Sequence, residues 1–319
     1  MSEGESGLTV LVTGGAGFIG SNLVRALLER GEAVRVLDDF STGRRENLLE
    51  LEGSVEVFEG DLRDRAACSK ACCGVEAVLH QAALGSVPRS VDDPVTSHQV
   101  NVTGTLNLLQ SALDCGVGRF VFASSSSVYG NSPEAVKTET LVPRPVSPYA
   151  STKLAGEAYT LAFKKTYGLN TIALRYFNVF GPRQDPDSAY AAVVPCFASR
   201  LLSSESPTIY GDGEQMRDFT FVDNVVSANL LALTCPEEAC GEVYNVACGS
   251  CFSVNQLFRM MRDHLGVTPS GVEPIHAPSR KGDIRNSLAS IDKVCDALGY
   301  SPLVGFEDGV RRTMDWYAA

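Results

Sequence analysis

The chain has 319 residues, 44% of them hydrophobic and 20% charged, with a formal net charge of −11. That length buries a full core and accommodates one large domain with a smaller lobe. The acidic balance argues against nucleic acid or anionic membrane as a partner, because both would repel it. No apolar run approaches the length that spans a bilayer and no charged-then-apolar leader opens the sequence, so a cytosolic setting is expected.

After a small, polar opening at residues 1–7, Leu8-Thr9-Val10-Leu11-Val12 is an unbroken apolar run that ends in glycines. Such a run reads as a parallel strand buried on both faces. The spacing of Leu23, Ala26 and Leu27 predicts a helix over Ser21 to Arg30, stopped by Gly31. Val34 to Leu37 is a second strand that leads into Asp38-Asp39. The alternation continues with strands at Val55–Phe58, Ala77–His80, Arg119–Ala123 and Thr171–Arg175, and with helices at Val95–Asp114 and Tyr149–Tyr167. Strand and helix in regular turn predict an α/β fold, a doubly wound parallel (Rossmann) sheet with ligands at the carboxyl ends of its strands.

Beyond Arg175 the rhythm breaks, with prolines at 182, 186, 195 and 207. The expected division is a dinucleotide-binding domain over 1–175, rejoined by a strand near 243–247, and a mainly substrate-binding lobe over 176–319. Helices are expected at Val254–Leu265 and Ile291–Leu298. The ten cysteines read as reduced thiols in a chain of this size. Cys248-Gly249-Ser250-Cys251 has CxxC spacing, with Cys235 and Cys240 upstream, but no second well-spaced pair supports a zinc or redox site, and no metal is expected.

Gly14-Gly15-Ala16-Gly17-Phe18-Ile19-Gly20 lies between the first strand and the first helix. A glycine turn there lets backbone approach a pyrophosphate, whose charge is met by free N–H groups at the helix N-terminus. A lone GxGxxG is weak; this one also has a carboxylate, Asp38, about 20 residues later, as a dinucleotide fingerprint requires. Asp38 would accept from ribose hydroxyls and repel a 2′-phosphate, which favours NAD. Arg44 and Arg45 leave NADP as the alternative.

Tyr149 and Lys153 are four apart at the start of a predicted helix and so share a face. A free phenol, with a pKa of about 10, is a poor base at neutral pH. A neighbouring ammonium and a cationic nicotinamide would lower it, as a general base needs. The run Ser124-Ser125-Ser126-Ser127 ends a predicted strand, where a hydroxyl could meet the reacting oxygen. Pro148 suits the first turn of the helix.

With these motifs in one order, the chain resembles the extended short-chain dehydrogenase/reductase family, and within it the bacterial UDP-N-acetylglucosamine 4-epimerases among the UDP-sugar 4-epimerases. The glycine run, Asp38-Asp39-Phe40-Ser41-Thr42-Gly43, Gly60-Asp61-Leu62, His80-Gln81-Ala82-Ala83, Ser125 to Gly130, Ser147 to Lys153 and Arg175-Tyr176-Phe177-Asn178-Val179-Phe180-Gly181-Pro182 carry the likeness. It implies a cofactor site of Gly14, Gly17, Phe18, Ile19, Gly20, Asp38, Phe40, Ser41 and Gly43. Asp61 and Leu62 would join at the adenine; Gln81, Ala82 and Ala83 at the nicotinamide-side ribose; Asn101 near the diphosphate; and Tyr176 with Phe177 at the nicotinamide end. Ser125 would bind the hexose O4, Tyr149 would take its proton, and Lys153 would bind ribose and polarise Tyr149. Asn178, Arg217 and Arg280 would hold the UDP phosphates, with Val193, Thr208, Tyr210 and Asp283 also on the substrate. A local ion pair with Asp218 is the alternative for Arg217.

Dehydratases and decarboxylases resembling this chain carry an acid beside the catalytic hydroxyl, where Ser126 stands here. The resemblance therefore implies oxidation and re-reduction at C4 through a 4-keto sugar. Ser287, small where hexose-restricted relatives carry tyrosine, implies room for an acetamido group, with Gly85, Ser126 and Gln184 in the same pocket. A roomy pocket excludes a smaller sugar only weakly, so UDP-glucose turnover is expected too. The alternatives are a UDP-glucose or a UDP-glucuronate 4-epimerase and, from another class, a non-catalytic NAD-sensing module. The resemblance also implies a homodimer through the helices Val95–Asp114 and Tyr149–Tyr167.

Overall fold

The computed structural model describes residues 8–186, 192–266, 272–279 and 286–319. In chain order the first elements are β1 (Thr9–Thr13), α1 (Phe18–Glu29), β2 (Ala33–Asp38), β3 (Val55–Glu59), α2 (Arg65–Cys72) and β4 (Ala77–His80). Next come α3 (Val87–Asp92), α4 (Pro94–His98), α5 (Gly104–Asp114), β5 (Arg119–Ser125), β6 (Val136–Lys137), α6 (Pro148–Tyr167) and β7 (Asn170–Tyr176). After them run β8 (Val179–Phe180), α7 (Val193–Leu202), β9 (Thr208–Tyr210), β10 (Met216–Arg217), β11 (Thr220–Phe221) and α8 (Val222–Thr234). The last are β12 (Glu242–Val246), β13 (Phe252–Ser253), α9 (Val254–His264), β14 (Ile275–Ala277), β15 (Asn286–Ala289), α10 (Asp292–Leu298) and α11 (Phe306–Ala318).

Seven strands form one sheet in the order β12-β7-β5-β4-β1-β2-β3, every neighbouring pair parallel. Val10, Leu11 and Val12 are wholly buried, which is why an uninterrupted apolar run makes a central strand here. Helices α2, α5 and α6 cover one face of the sheet, and α1 with α8 the other. The order reverses at β1, with β2 on one side and β4 on the other, so a crevice opens at their carboxyl ends.

Helix α6 begins on the Ser147 cap, whose hydroxyl accepts from Ala150 N at 3.2 Å, has Pro148 in its first turn and ends at Gly168 in the left-handed region. It lies hard against β5: a Cβ on Gly156 would stand 2.3 Å from Cζ of Phe122. The helix expected over Val95–Asp114 instead starts at Pro94 and includes a π turn, Gln99–Thr103, before α5.

The stretch after Arg175 is more regular than its prolines suggest. Pro195 falls in the first turn of α7, where no intrahelical N–H is required. A second sheet, β13-β10-β15-β6, and the pairs β8–β11 and β9–β14 complete this part. The stacked rings of Phe219, Phe252 and Phe306 pack α11 against it. Asn224 of α8 fastens the chain before α11, donating to Val304 O at 2.8 Å and accepting from Leu303 N at 2.7 Å. Among the described residues no helix is long and apolar enough to cross a membrane.

Candidate functional site

A cavity of about 380 Å³ opens at the carboxyl ends of β1, β2, β4, β5 and β7. Its floor is the glycine turn. Gly14 has φ +69°, and a Cβ there would meet the Ala82 backbone at 2.7 Å. Gly17 N donates to Gly14 O at 3.0 Å, and a Cβ on Gly20 would come within 2.0 Å of the same oxygen. Gly17 caps α1 without a side-chain hydrogen bond, so the first N–H groups of the helix remain available to a ligand. A loop this tight, with bare backbone on its open side, fits a dinucleotide pyrophosphate.

Asp38 ends β2 at the cavity wall. Its Oδ2 accepts from Ala16 N and its Oδ1 from Phe40 N, both at 2.9 Å, so the carboxylate braces the turn it serves. Burial raises its pKa, opposed by these two N–H groups. Arg44 pairs with Asp185, while Arg45 pairs with Glu59 at 2.6 Å and lies 3.8 Å over the Phe40 ring. Both guanidiniums have acidic protein partners, and the Asp38 carboxylate at the end of β2 disfavours a 2′-phosphate.

Phe18, Ile19, Ser41, Gly43, Asp61, Leu62, Gln81, Ala82, Ala83 and Gly85 also line the cavity. The Asp61 carboxylate is held low by its hydrogen bond from Arg63. Phe40 and Asn101 do not line it. Asn101 is buried in the π turn, where its Oδ1 accepts from Leu84 N at 2.8 Å and its Nδ2 donates to Thr152 Oγ1 at 3.0 Å. It braces the 82–85 wall from behind.

On the opposite side stand Tyr149, Lys153, Ser124 and Tyr176. Strand β5 runs two residues further than expected, to Ser125, and places that hydroxyl in a hydrogen bond with Tyr149. Ser125 Oγ also accepts from Ser127 N at 3.1 Å, while Ser126 enters a short 3₁₀ turn. Lys153 Nζ donates to Ala123 O at 2.9 Å and lies 6.0 Å from the centre of the Tyr149 ring.

The expected lowering of the Tyr149 phenol by Lys153 is not met in the chain alone. Burial raises Tyr149, and the hydrogen bond with Ser125 is what opposes it. Burial also brings Lys153 down to about 8, against the nearby Glu157 carboxylate. For Tyr149, desolvation outweighs the Ser125 hydrogen bond, and the Lys153 ammonium is directed to the Ala123 carbonyl. Tyr176, pushed up to about 12 by burial, accepts from Asn229 Nδ2 at 2.8 Å and stays a neutral phenol.

A second cavity of about 400 Å³ is lined by Asn178, Val193, Thr208, Tyr210 and Arg217. Tyr176 and Asn178, two residues apart, line the first and second cavities respectively. The alternative of an Arg217–Asp218 ion pair fails. Asp218 points into the core, where its carboxylate accepts from Cys248 N, Gly249 N and Ala289 N, whereas Arg217 donates to Met216 O. Ser287 lies opposite Arg217 on β15 but does not line the cavity. Gln184 donates to Val179 O at 3.3 Å and leaves its buried Oε1 unpaired. Arg280 and Asp283 lie outside the described residues.

Several lining residues were missed: Asn47, Leu84, Val100, Arg183 and Asp185 in the first cavity, and Phe197, Arg200 and Gln215 in the second. Asn47 alone had a local signal, its position in the loop after Asp38; its Nδ2 donates to Ala16 O at 2.8 Å. Of the CxxC pair, Cys248 accepts from Asn224 and Cys251 donates to Ser287 O, and burial pushes both thiols up to about 11.

Residues 10–247 match the NAD dependent epimerase/dehydratase family. The chain is 38% identical to a UDP-glucose 4-epimerase of Mycolicibacterium smegmatis over 97% of its own length and 98% of that protein. It superposes on a UDP-N-acetylglucosamine 4-epimerase of Methanobrevibacter ruminantium in complex with UDP-N-acetylmuramic acid, with a TM-score of 0.92, 40% identity and 98% of each chain covered. It is also similar to a Thermus thermophilus UDP-glucose 4-epimerase complex with NAD, with a TM-score of 0.88, 42% identity and 97% and 99% of the two chains covered.

Proposed function

The chain belongs to the NAD dependent epimerase/dehydratase family, and we propose that it is a UDP-sugar 4-epimerase that interconverts UDP-GlcNAc and UDP-GalNAc through a transient 4-keto sugar, and UDP-Glc and UDP-Gal as secondary substrates. The observation that carries the reading is the meeting of Tyr149, Ser125 and Lys153 beside a glycine turn shaped for a dinucleotide. When bound, NAD supplies the acceptor and then the donor of a hydride.

Gly14, Gly17, Gly20 and Asp38 would hold the cofactor, with Asp61, Leu62 and the 81–83 wall around it. Ser125 would orient the sugar O4 and share its hydrogen bond, while Tyr149 would take the O4 proton and later return it. Lys153, with an ammonium bound to one carbonyl, has two further N–H donors for a ribose and for the phenolate as it forms. No carboxylate stands at Ser126 to expel water, which supports epimerisation over dehydration.

Asn178 and Arg217 in the second cavity suit the UDP diphosphate, since charge-assisted bonds are strongest on a dianion. The acetamido preference rests on the small side chain of Ser287, which is the strand partner of Arg217 and stands outside the lining of the second cavity. Residues 1–175 with β12 would carry NAD, and most of 176–319 the substrate, in a cytosolic enzyme. A homodimer through the α4–α6 face is part of the same reading, supported by the exposed Val95 and Tyr159.

Incubation with UDP-GlcNAc, UDP-Glc and UDP-GlcA separately, comparing kcat/KM and product mass, tests the proposal. An unchanged mass with C4 inverted, fastest for UDP-GlcNAc, is expected, and Tyr149→Phe should abolish it. Loss of water would point to a dehydratase, and bound NAD without turnover to a sensing module.

A further inference from the structure

Glu157 lies one turn beyond Lys153 on α6 and is only 2% exposed. Its Oε1 accepts from Ser124 Oγ at 2.5 Å and from Arg175 Nε at 2.9 Å, and its Oε2 accepts from Arg175 Nη2 at 2.8 Å. One carboxylate therefore joins three elements: α6, the end of β5 and the end of β7. Two of the neighbouring residues matter to the chemistry. Ser124 precedes Ser125, and Ala123, just before it, supplies the carbonyl that holds Lys153.

Burying ions costs several kcal/mol each unless geometry repays it, so a buried cluster of two cations and one carboxylate is a poor device for stability alone. We propose that Glu157 is a positioning residue of the reaction, fastening the strand end that presents Ser125 and acting as shared counter-ion to Lys153 and Arg175. The inference rests on the reading of Tyr149 and Lys153 as the proton-handling pair.

The groups that face Lys153 are Tyr149 and Glu157 from its own helix, His80 from β4 and Tyr176 from β7, with Arg175 paired to Glu157 and lying 4.7 Å over the Tyr129 ring. His80 is neutral, held between Thr13 and Thr105, and Arg175 is paired. Of these groups, Glu157 is the one carboxylate, and it is paired with a guanidinium. Without its charge nothing in this set opposes desolvation of the ammonium, and Lys153 releases its proton at lower pH.

The test uses Glu157→Gln together with the double variant E157Q/R175Q, which leaves no unpaired guanidinium in the core to threaten folding. Two quantities are measured: the pH profile of kcat with UDP-GlcNAc, and the titration of Lys153 by 13C NMR of protein labelled at the lysine ε-carbon, assigned by the signal missing from Lys153→Met. The alkaline limb and the NMR midpoint should both fall by about one pH unit or more, with KM within about threefold of the parent. A folded variant whose midpoint stays put overturns the proposal, and so does a kcat loss uniform across pH. A parent that turns over no UDP-sugar, yet whose midpoint moves on substitution, defeats the proposed function and leaves the Glu157–Lys153 link supported.

Discussion

The Lys153 ammonium donates to the Ala123 carbonyl at 2.9 Å, which pins the helix bearing Tyr149 to the strand that ends at Ser125. This hydrogen bond thereby helps set the separation of the Tyr149 phenol from the Ser125 hydroxyl. It also buries a cation at a site where burial alone drives it toward neutrality.

Lys153→Met should therefore separate activity from stability. A lysine lowered from 10.5 to about 8 contributes stability above its unfolded pKa and loses it as pH falls through 8. At pH 7 the ammonium is a load of up to about 3 kcal/mol. The variant should melt at a higher temperature than the parent at pH 7, while epimerisation falls at least about 100-fold. Calorimetry and a coupled assay decide it.

Acid stability should be a contest between His80 and Asp218. Burial lowers His80 to about 3, so its contribution is complete above 6.5 and drains away as pH falls toward 3. Burial raises Asp218 to about 6, so its contribution grows as pH falls from 6 toward 3.8. The parent should show a shallow Tm profile between pH 7 and 5. His80→Gln should gain on it by up to about 2 kcal/mol across that window, and Asp218→Asn should lose ground.

Gly20→Ala should cost the cofactor. The added methyl would stand 2.0 Å from Gly14 O, backbone against backbone, and neither side can yield without opening the turn. Protein purified from this variant should release little or no NAD on acid denaturation, against near one equivalent from the parent. Retention of a full equivalent would refute the fit of the turn to a pyrophosphate.

Ser287→Tyr should shift sugar preference. Ser287 is the β15 partner of Arg217, which lines the second cavity, and a tyrosine ring is long enough to reach from there toward a sugar whose diphosphate that arginine would hold. The kcat/KM for UDP-GlcNAc should fall at least about tenfold relative to UDP-Glc. Equal losses on both would remove Ser287 from the pocket.

The glycine turn, Asp38 and the Tyr149–Lys153 pair were legible because each is a local pattern: a strand end, a turn and a one-turn helix spacing. Chain-distant relations were not. Arg183 and Asp185 meet Asn22 and Arg44, more than a hundred residues away in the chain, on the glycine-turn side of the first cavity, and nothing around them marks that approach. Proline counts misled after Arg175, since Pro195 falls at a helix start and the apolar face of α8 is completed by α1. Asn101 was expected near the diphosphate and lies instead behind the 82–85 wall, because its burial against Leu84 depends on the π turn.

By itself, the sequence determined which backbone would approach a pyrophosphate and which side chains could share a helix face, since those depend on spacing along a few consecutive residues. Only the tertiary structure decided charge states and partners. Asp218 turned inward to backbone N–H groups, Glu157 gathered Ser124 and Arg175, and Tyr149 rose where a fall was expected. The physical reason is that desolvation is set by everything packed around a group, and that surrounding comes from segments far apart in the chain.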